Sequence, residues 1–206
     1  MTTWPQAAPS AGVQFYQWDG SEPTMKVAIS QRSMTVGEGL GISAGGFADV
    51  EAFLRTDVGT LSPMIAEAYR EMGEEFFGPN WQDPLGVIIP FKTFEANAQP
   101  LQSFLVRTAD TNRVHAPTYY AYPLRDFERI AFSNLPETAE RTGQLRWLTL
   151  SWAPETNHRV FDQYVRLKDN GTVLGWNILH WPHEAQGVFC QLAWLANIGR
   201  LWTRRV

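Results

Sequence analysis

Gly41-Ile42-Ser43-Ala44-Gly45 sets a serine midway between two glycines. In a G-x-S-x-G pattern the small residues permit a tight strand-to-helix turn. The hydroxyl then stands exposed beside backbone N–H groups that can stabilise an oxyanion. Such a serine attacks an acyl carbon once a neighbouring base takes its proton. His183 or His158 is available as that base and Asp162 or Asp169 as its orienting carboxylate, and no spacing selects among them. The working set is Ser43, His183 and Asp162.

The six letters Gly-Ile-Ser-Ala-Gly-Gly at 41–46 resemble the nucleophile elbow of serine esterases. That resemblance implies a small esterase-like hydrolase with Ser43 as nucleophile. The same loop reads as G-x-G-x-x-A through Gly39, Gly41 and Ala44, a pattern in which glycines let the backbone approach a pyrophosphate at a helix N-terminus. Its glycines equally suit ordinary turn positions.

Other titratable clusters are weaker. His180-Trp181-Pro182-His183-Glu184 holds three groups able to bind a metal, but Pro182 intervenes and the chain has four histidines in all. The segment reads instead as a strand exit followed by a helix start, with Glu184 favouring the helix dipole. Neither a metal nor a cofactor is expected. Cys190 lies in an apolar run and reads as a small core residue. Glu67, Glu71, Glu74 and Glu75, with Arg70 among them, read as the solvated face of a helix.

The aromatic residues offer a different chemistry. Six of the nine tryptophans fall from Trp147 onward. Tyr120 and Tyr122 share one face of a strand and Tyr119 the other. With Trp147, Trp152 and Trp176 on neighbouring strands they could line a pocket or an interface, since aromatic side chains anchor binding surfaces. The expectation is therefore a non-catalytic cytoplasmic binding protein. Its aromatic surface (Tyr120, Tyr122, Trp147, Trp152, Trp176) would bind a protein partner or mediate self-association into a homo-oligomer, with room for a small-molecule ligand. The Ser43 hydrolase is the alternative.

Composition narrows the field further. The 206 residues are 44% hydrophobic and 18% charged, enough for one buried core. A net charge of −4 without a basic cluster argues against nucleic-acid binding. One cysteine excludes a disulfide within the chain and suits a reducing compartment. No run is apolar enough to span a bilayer, and the N-terminus has no signal-peptide pattern.

Elements that would position these residues follow from periodicity. Residues 1–12, rich in proline and small residues, read as a flexible arm, and 13–206 as one α+β domain. Strands are expected at 13–18 and 25–30, with Met25, Val27 and Ile29 on one face. A short helix follows residue 46. Ser62 and Pro63 then open a helix that runs to residue 77, where Gly78-Pro79 stops it. Strands are expected at 86–91, 101–108 and 114–122, and a short helix at 124–132 with Phe127, Ile130 and Ala131 inward. Strands at 144–153, 160–168 and 172–181 follow, the last two joined at Asn170-Gly171 as an aromatic-rich hairpin. A C-terminal apolar helix begins near residue 183. The sheet should be mainly antiparallel, with helices packed on it.

Overall fold

The computed structural model describes residues 8–32, 39–41, 43–47, 63–101, 106–107, 114–139, 141, 145–152, 165–169, 172–177 and 183–203. Among them are ten strands and five α-helices. The strands are β1 Ala8–Gln17, β2 Thr24–Arg32, β3 Gly39–Gly41, β4 Ala44–Phe47, β5 Gln99–Pro100, β6 Val106–Arg107, β7 Val114–Pro123, β8 Arg146–Trp152, β9 Val165–Asp169 and β10 Thr172–Asn177. The helices are α1 Pro63–Phe77, α2 Gln82–Ile88, α3 Phe91–Asn97, α4 Asp126–Ser133 and α5 His183–Asn197.

The strands run in the order β10-β9-β8-β2-β1-β7-β5, with β3 beside β2, β4 beside β1 and β6 beside β7. Every described pairing is antiparallel except the central one. There β1 and β7 lie parallel from Ala8↔His115 to Tyr16↔Pro123. A parallel pair needs a long crossover, and the chain between these strands includes α1, α2 and α3. The sheet is thus mainly antiparallel, as expected, with one parallel pair at its centre. β1 starts at Ala8, so residues 8–12, expected in the flexible arm, belong to the middle of the sheet.

Alternation along the strands gives the sheet two apolar faces. Met25, Val27 and Ile29 share one face with Tyr16, Tyr119, Leu148, Leu150 and Trp152, and α5 covers it with Val188, Phe189 and Leu192. The opposite face presents Val13, Phe15, Ala28, Tyr120 and Tyr122 to Ile65, Met72 and Phe76 of α1, Leu85 of α2, Phe94 of α3 and Phe132 of α4. Helices therefore close both sides of the sheet.

Two expected elements change. The apolar run 86–91, read as a strand, is divided between α2 and α3, with Pro90 between them. A short apolar run has no period that separates strand from helix. The turn of helix expected at Phe47 is instead the end of strand β4. α4 falls where a helix was expected, but turned: Phe127 and Ile130 are about half exposed, while Glu128 and Phe132 are buried. Glu128 faces inward because its Oε2 accepts the Arg125 N–H at 2.8 Å, closing the first turn. Among the described residues no helix is long and apolar enough to cross a membrane.

Candidate active site

α1 owes its length to its ends. Pro63 has no N–H to leave unpaired in the first turn, and Gly78 stops the helix at φ +72°. Between them one stripe of α1 (Ile65, Ala68, Met72, Phe76) enters the core. The adjoining stripe holds Glu67, Glu71 and Glu75, which are 2%, 8% and 5% exposed. Three of the four carboxylates read from sequence as a solvated face are therefore buried, and Glu74 stays partly exposed.

One guanidinium gathers Glu67, Glu71 and the neighbouring Glu74. Arg70 donates to Glu67 Oε2 from Nη2 at 2.7 Å and from Nε at 2.9 Å, and to Glu74 Oε2 from Nη1 at 2.5 Å. Its Nη2 also donates to Glu71 Oε1. Glu75 is held differently: its Oε1 accepts the backbone N–H of Gly45 at 3.0 Å. The sheet can come this close because β4 runs Gly45-Gly46 under the helix. A side chain at Gly46 would collide with the Glu71 carboxylate.

Burial pushes the Glu71 carboxyl up to about 7; the charge of Arg70 opposes this and that of Glu74 adds to it. For Arg70, burial acts to lower the pKa. Hydrogen bonds to Glu67 and Glu74, with the charges of Glu71 and Glu67, outweigh it and hold the guanidinium above its ordinary value.

The donors on this stripe are hard oxygens only, and four carboxylates outnumber the guanidinium set among them. Such a set suits a hard divalent cation. A buried carboxyl that resists ionisation is a group such a cation would stabilise as the anion. Among the described residues no three carboxylate or imidazole groups already converge as ready metal ligands. Glu67, Glu71 and Glu74 converge on Arg70 instead.

The residues singled out from sequence lie elsewhere. Ser43 is fully buried and its hydroxyl is fully engaged. It accepts from the Phe15 N–H at 2.9 Å and from Gln14 Nε2 at 3.2 Å, and donates to the Ala28 carbonyl at 3.1 Å. β1 and β2 pair at Tyr16↔Val27, while further back β1 pairs with β4. Ser43 bridges the strands at this fork, where ladder hydrogen bonds would otherwise be missing. A hydroxyl so placed reaches no substrate. Asp162 lies outside the described residues; His183 is the first residue of α5.

The aromatic set is divided rather than assembled. Tyr120 and Tyr122 are buried in the core beneath α1 and α3, where Tyr122 stacks on Phe94 at 5.2 Å. Trp147 packs on that same side with its indole N–H donating to Ser133 Oγ at 2.9 Å. Trp152 is buried on the opposite face, edge-on to Trp18. Trp176 lies in β10, and its side chain is outside the described residues. Two open clefts, of about 700 and 620 Å³, are lined by none of these five residues.

Sequence reasoning missed Glu71, Glu75 and the glycines beneath them. Spacing of i, i+4 fits an inward and an outward stripe equally well. The signal that separates the two is the pair Gly45-Gly46, since adjacent glycines in a strand mark close approach by another group.

In fold the chain is similar to a MutT/nudix family protein from Enterococcus faecalis, with a TM-score of 0.56 at 13% identity. The match covers 96% of this chain and 65% of that one, so the chain spans less than two thirds of that protein's length. Weaker likenesses are to a NUDIX hydrolase from Alicyclobacillus acidocaldarius (TM-score 0.42, 12% identity, 70% and 80% covered) and an Ap4A hydrolase from C. elegans (TM-score 0.38, 11% identity, 68% and 79% covered). No protein-family model and no curated protein matches the chain in sequence.

The expectation of a non-catalytic interaction protein loses its basis, because Tyr120, Tyr122 and Trp152 are buried and Trp147 packs against the core, in a fold similar to that of a MutT/nudix family protein. The esterase-like alternative falls with Ser43, which is locked between β1 and β2.

Proposed function

We propose that the chain is a cation-assisted hydrolase of phosphoanhydrides and that α1 is its catalytic element. The observation that carries this reading is the buried carboxylate stripe of α1, seated on Gly45-Gly46, within a fold similar to that of a MutT/nudix family protein. Burying carboxylates costs several kcal/mol per ion. Groups kept at that cost, with a pKa moved towards neutrality, belong more often to a working site than to a scaffold.

Glu71, Glu74 and Glu75 would hold the cation. When bound there, it would polarise a phosphoryl oxygen and lower the pKa of a water. Small hard cations are commonly held by one or two carboxylates together with substrate phosphates, which points to an anhydride carrying at least two of them. Water oxygen would bond to one phosphorus, the bridging P–O bond would break, and each product would keep a phosphate. Arg70 holds Glu71 and Glu74 in place for this, and the Gly45 N–H orients Glu75.

The test is hydrolysis of a panel by the full chain: a nucleoside triphosphate, a nucleoside diphosphate sugar and a dinucleoside polyphosphate, each with Mg²⁺, with Mn²⁺ and with chelator. Cation-dependent cleavage of at least one is expected, lowered ~100-fold or more by Glu75→Gln. Failure of every substrate, together with no Mn²⁺ binding by the wild type, would overturn the reading.

A further inference from the structure

Arg141 is 1% exposed, among the most deeply buried side chains of the molecule. A buried guanidinium needs a reason, because removing its charge from water is expensive unless something compensates it. Its surroundings are specific. The guanidinium carbon sits 4.9 Å from the centroid of the Phe76 ring, a cation–π arrangement. Nη2 donates to the Pro136 carbonyl at 2.9 Å. The backbone is tied as well: the Arg141 N–H donates to Thr138 Oγ1 at 3.2 Å, and the Thr138 N–H donates to the Arg141 carbonyl at 3.1 Å.

The same small loop grips α1. The Thr138 hydroxyl donates to the carbonyl of Glu75 at 2.7 Å, satisfying one of the orphan acceptors of the last helical turn. Glu75 thus has its main chain fixed by Thr138 and its side chain by the Gly45 N–H, while the residue after it carries the ring on which Arg141 rests. Burial acts to lower the pKa of Arg141, and the charges of Glu75 and then Glu137 oppose that. Glu75 and Arg141 therefore feel each other's charge. Arg70 serves Glu67, Glu71 and Glu74, whereas Glu75 accepts from the Gly45 N–H.

We infer that Arg141 is a positioning residue for Glu75, a fixed buried cation that holds this carboxylate against Gly45 and so completes the oxygen set on α1. The inference rests on the reading of α1 as a cation-holding element, and it deepens that reading. Arg141 does not touch substrate. It acts through Glu75, as groups behind a metal ligand commonly do, at ~10–100-fold in metal affinity when removed.

Two readouts on Arg141→Met test it. The first is the backbone amide resonance of Gly45 in the metal-free protein. A hydrogen bond to a fixed carboxylate should hold it downfield, and Arg141→Met should move it upfield towards its position in Glu75→Gln. The second is Mn²⁺ affinity by electron paramagnetic resonance, expected to weaken ~10-fold. The sign matters, because loss of a nearby positive charge acting only through its field would tighten Mn²⁺ binding.

The double variant Arg141→Met with Glu75→Gln should behave as Glu75→Gln alone in both readouts, the signature of action through one shared partner. Arg141→Lys, which keeps the charge, should recover part of both. An unmoved Gly45 resonance, tighter Mn²⁺ binding, or simple additivity in the double variant would each overturn the inference. If the wild type binds no Mn²⁺, the reading of α1 fails, yet the Gly45 resonance still decides whether Arg141 positions Glu75. If Arg141→Met does not fold, Arg141→Gln and Thr138→Val are measured in the same way.

Discussion

The two faces of the sheet are closed by opposite means. Under α5 the cover is Val188, Phe189, Leu192 and Ala193 on Val27, Ile29, Leu148 and Leu150, with Trp152 at its edge. Under α1 the cover is just as apolar at its centre, where Phe15, Phe76 and Phe132 meet with ring centroids 4.8 to 5.8 Å apart. Yet every buried charged side chain among the described residues (Glu67, Glu71, Glu75, Glu128, Arg141) belongs to this side. Both faces supply packing, and only one also carries ionic groups that oppose folding. Natural chains depart from apolar burial chiefly where function asks for it, and this contrast is the reason the site is proposed on the α1 side.

The largest effect that could break this contrast comes from truncating each core. Phe15→Ala removes a ring stacked on Phe76 and should cost ~3–5 kcal/mol; Leu192→Ala on the other face should cost ~2–5 kcal/mol. Urea unfolding measures both. Mn²⁺ titration of the folded variants should then separate them, with Leu192→Ala binding as the wild type does and Phe15→Ala weakened. Equal loss of Mn²⁺ binding from both would show that the α1 face is not special.

A smaller effect tests the charge itself. The Glu71 carboxyl is raised from the ordinary 4.5 to about 7 by burial. The folded state thus holds this proton more tightly than the unfolded state does. The stabilising contribution is fully present below about 4.5 and is lost as pH rises through 7. The gap is worth ~3 kcal/mol at most. With chelator present, this group should make the wild type less stable at pH 8 than at pH 5 by that amount, and Glu71→Gln should remove the difference. Added Mn²⁺ should restore stability at pH 8, since a ligand of the folded state favours it. A wild type whose urea midpoint does not respond to Glu71→Gln at either pH would sink this account of the stripe.

How much of this was legible in the sequence differs between the faces in the same way. The alternation of Met25, Val27 and Ile29 follows from side-chain period alone and falls where expected, as does the helix Pro63–Phe77 from its end signals. The same period sets Trp147 and Trp152 on opposite faces, since they lie an odd number of residues apart on one strand, so they could not line one surface together. No periodicity says which elements cover the far side of the sheet, and there α1 to α4 do so. The parallel pairing of β1 with β7 was not legible, because the partners lie about a hundred residues apart and no local signal sets their direction. Ser43 misled for a related reason. A serine between glycines has the same letters whether its hydroxyl faces solvent or fills a fork between strands, and only the tertiary partners Phe15 and Ala28 decide. Glu71 and Glu75 stayed hidden because a carboxylate is read as exposed unless its partner is known.

The smallest effects come from one substitution made at two places. Gly46→Ala puts a methyl group where the Glu71 carboxylate lies. The obstacle is the end of a flexible side chain, so the carboxylate will move before the strand does. Stability should fall by only ~1 kcal/mol, while Glu71 is pulled off Arg70 and Mn²⁺ binding is lost. Gly86, in α2, has open space around the position of an added methyl group and no left-handed backbone to maintain. Gly86→Ala there restricts only the unfolded chain and improves helix propensity, for a gain of ~0.4–1 kcal/mol with Mn²⁺ binding untouched. Thermal unfolding and Mn²⁺ titration on the two variants give opposite signs for stability and a loss of binding in one alone. If Gly46→Ala kept full Mn²⁺ affinity, the close seat of α1 on β4 would be packing and nothing more, and the two faces of the sheet would be alike after all.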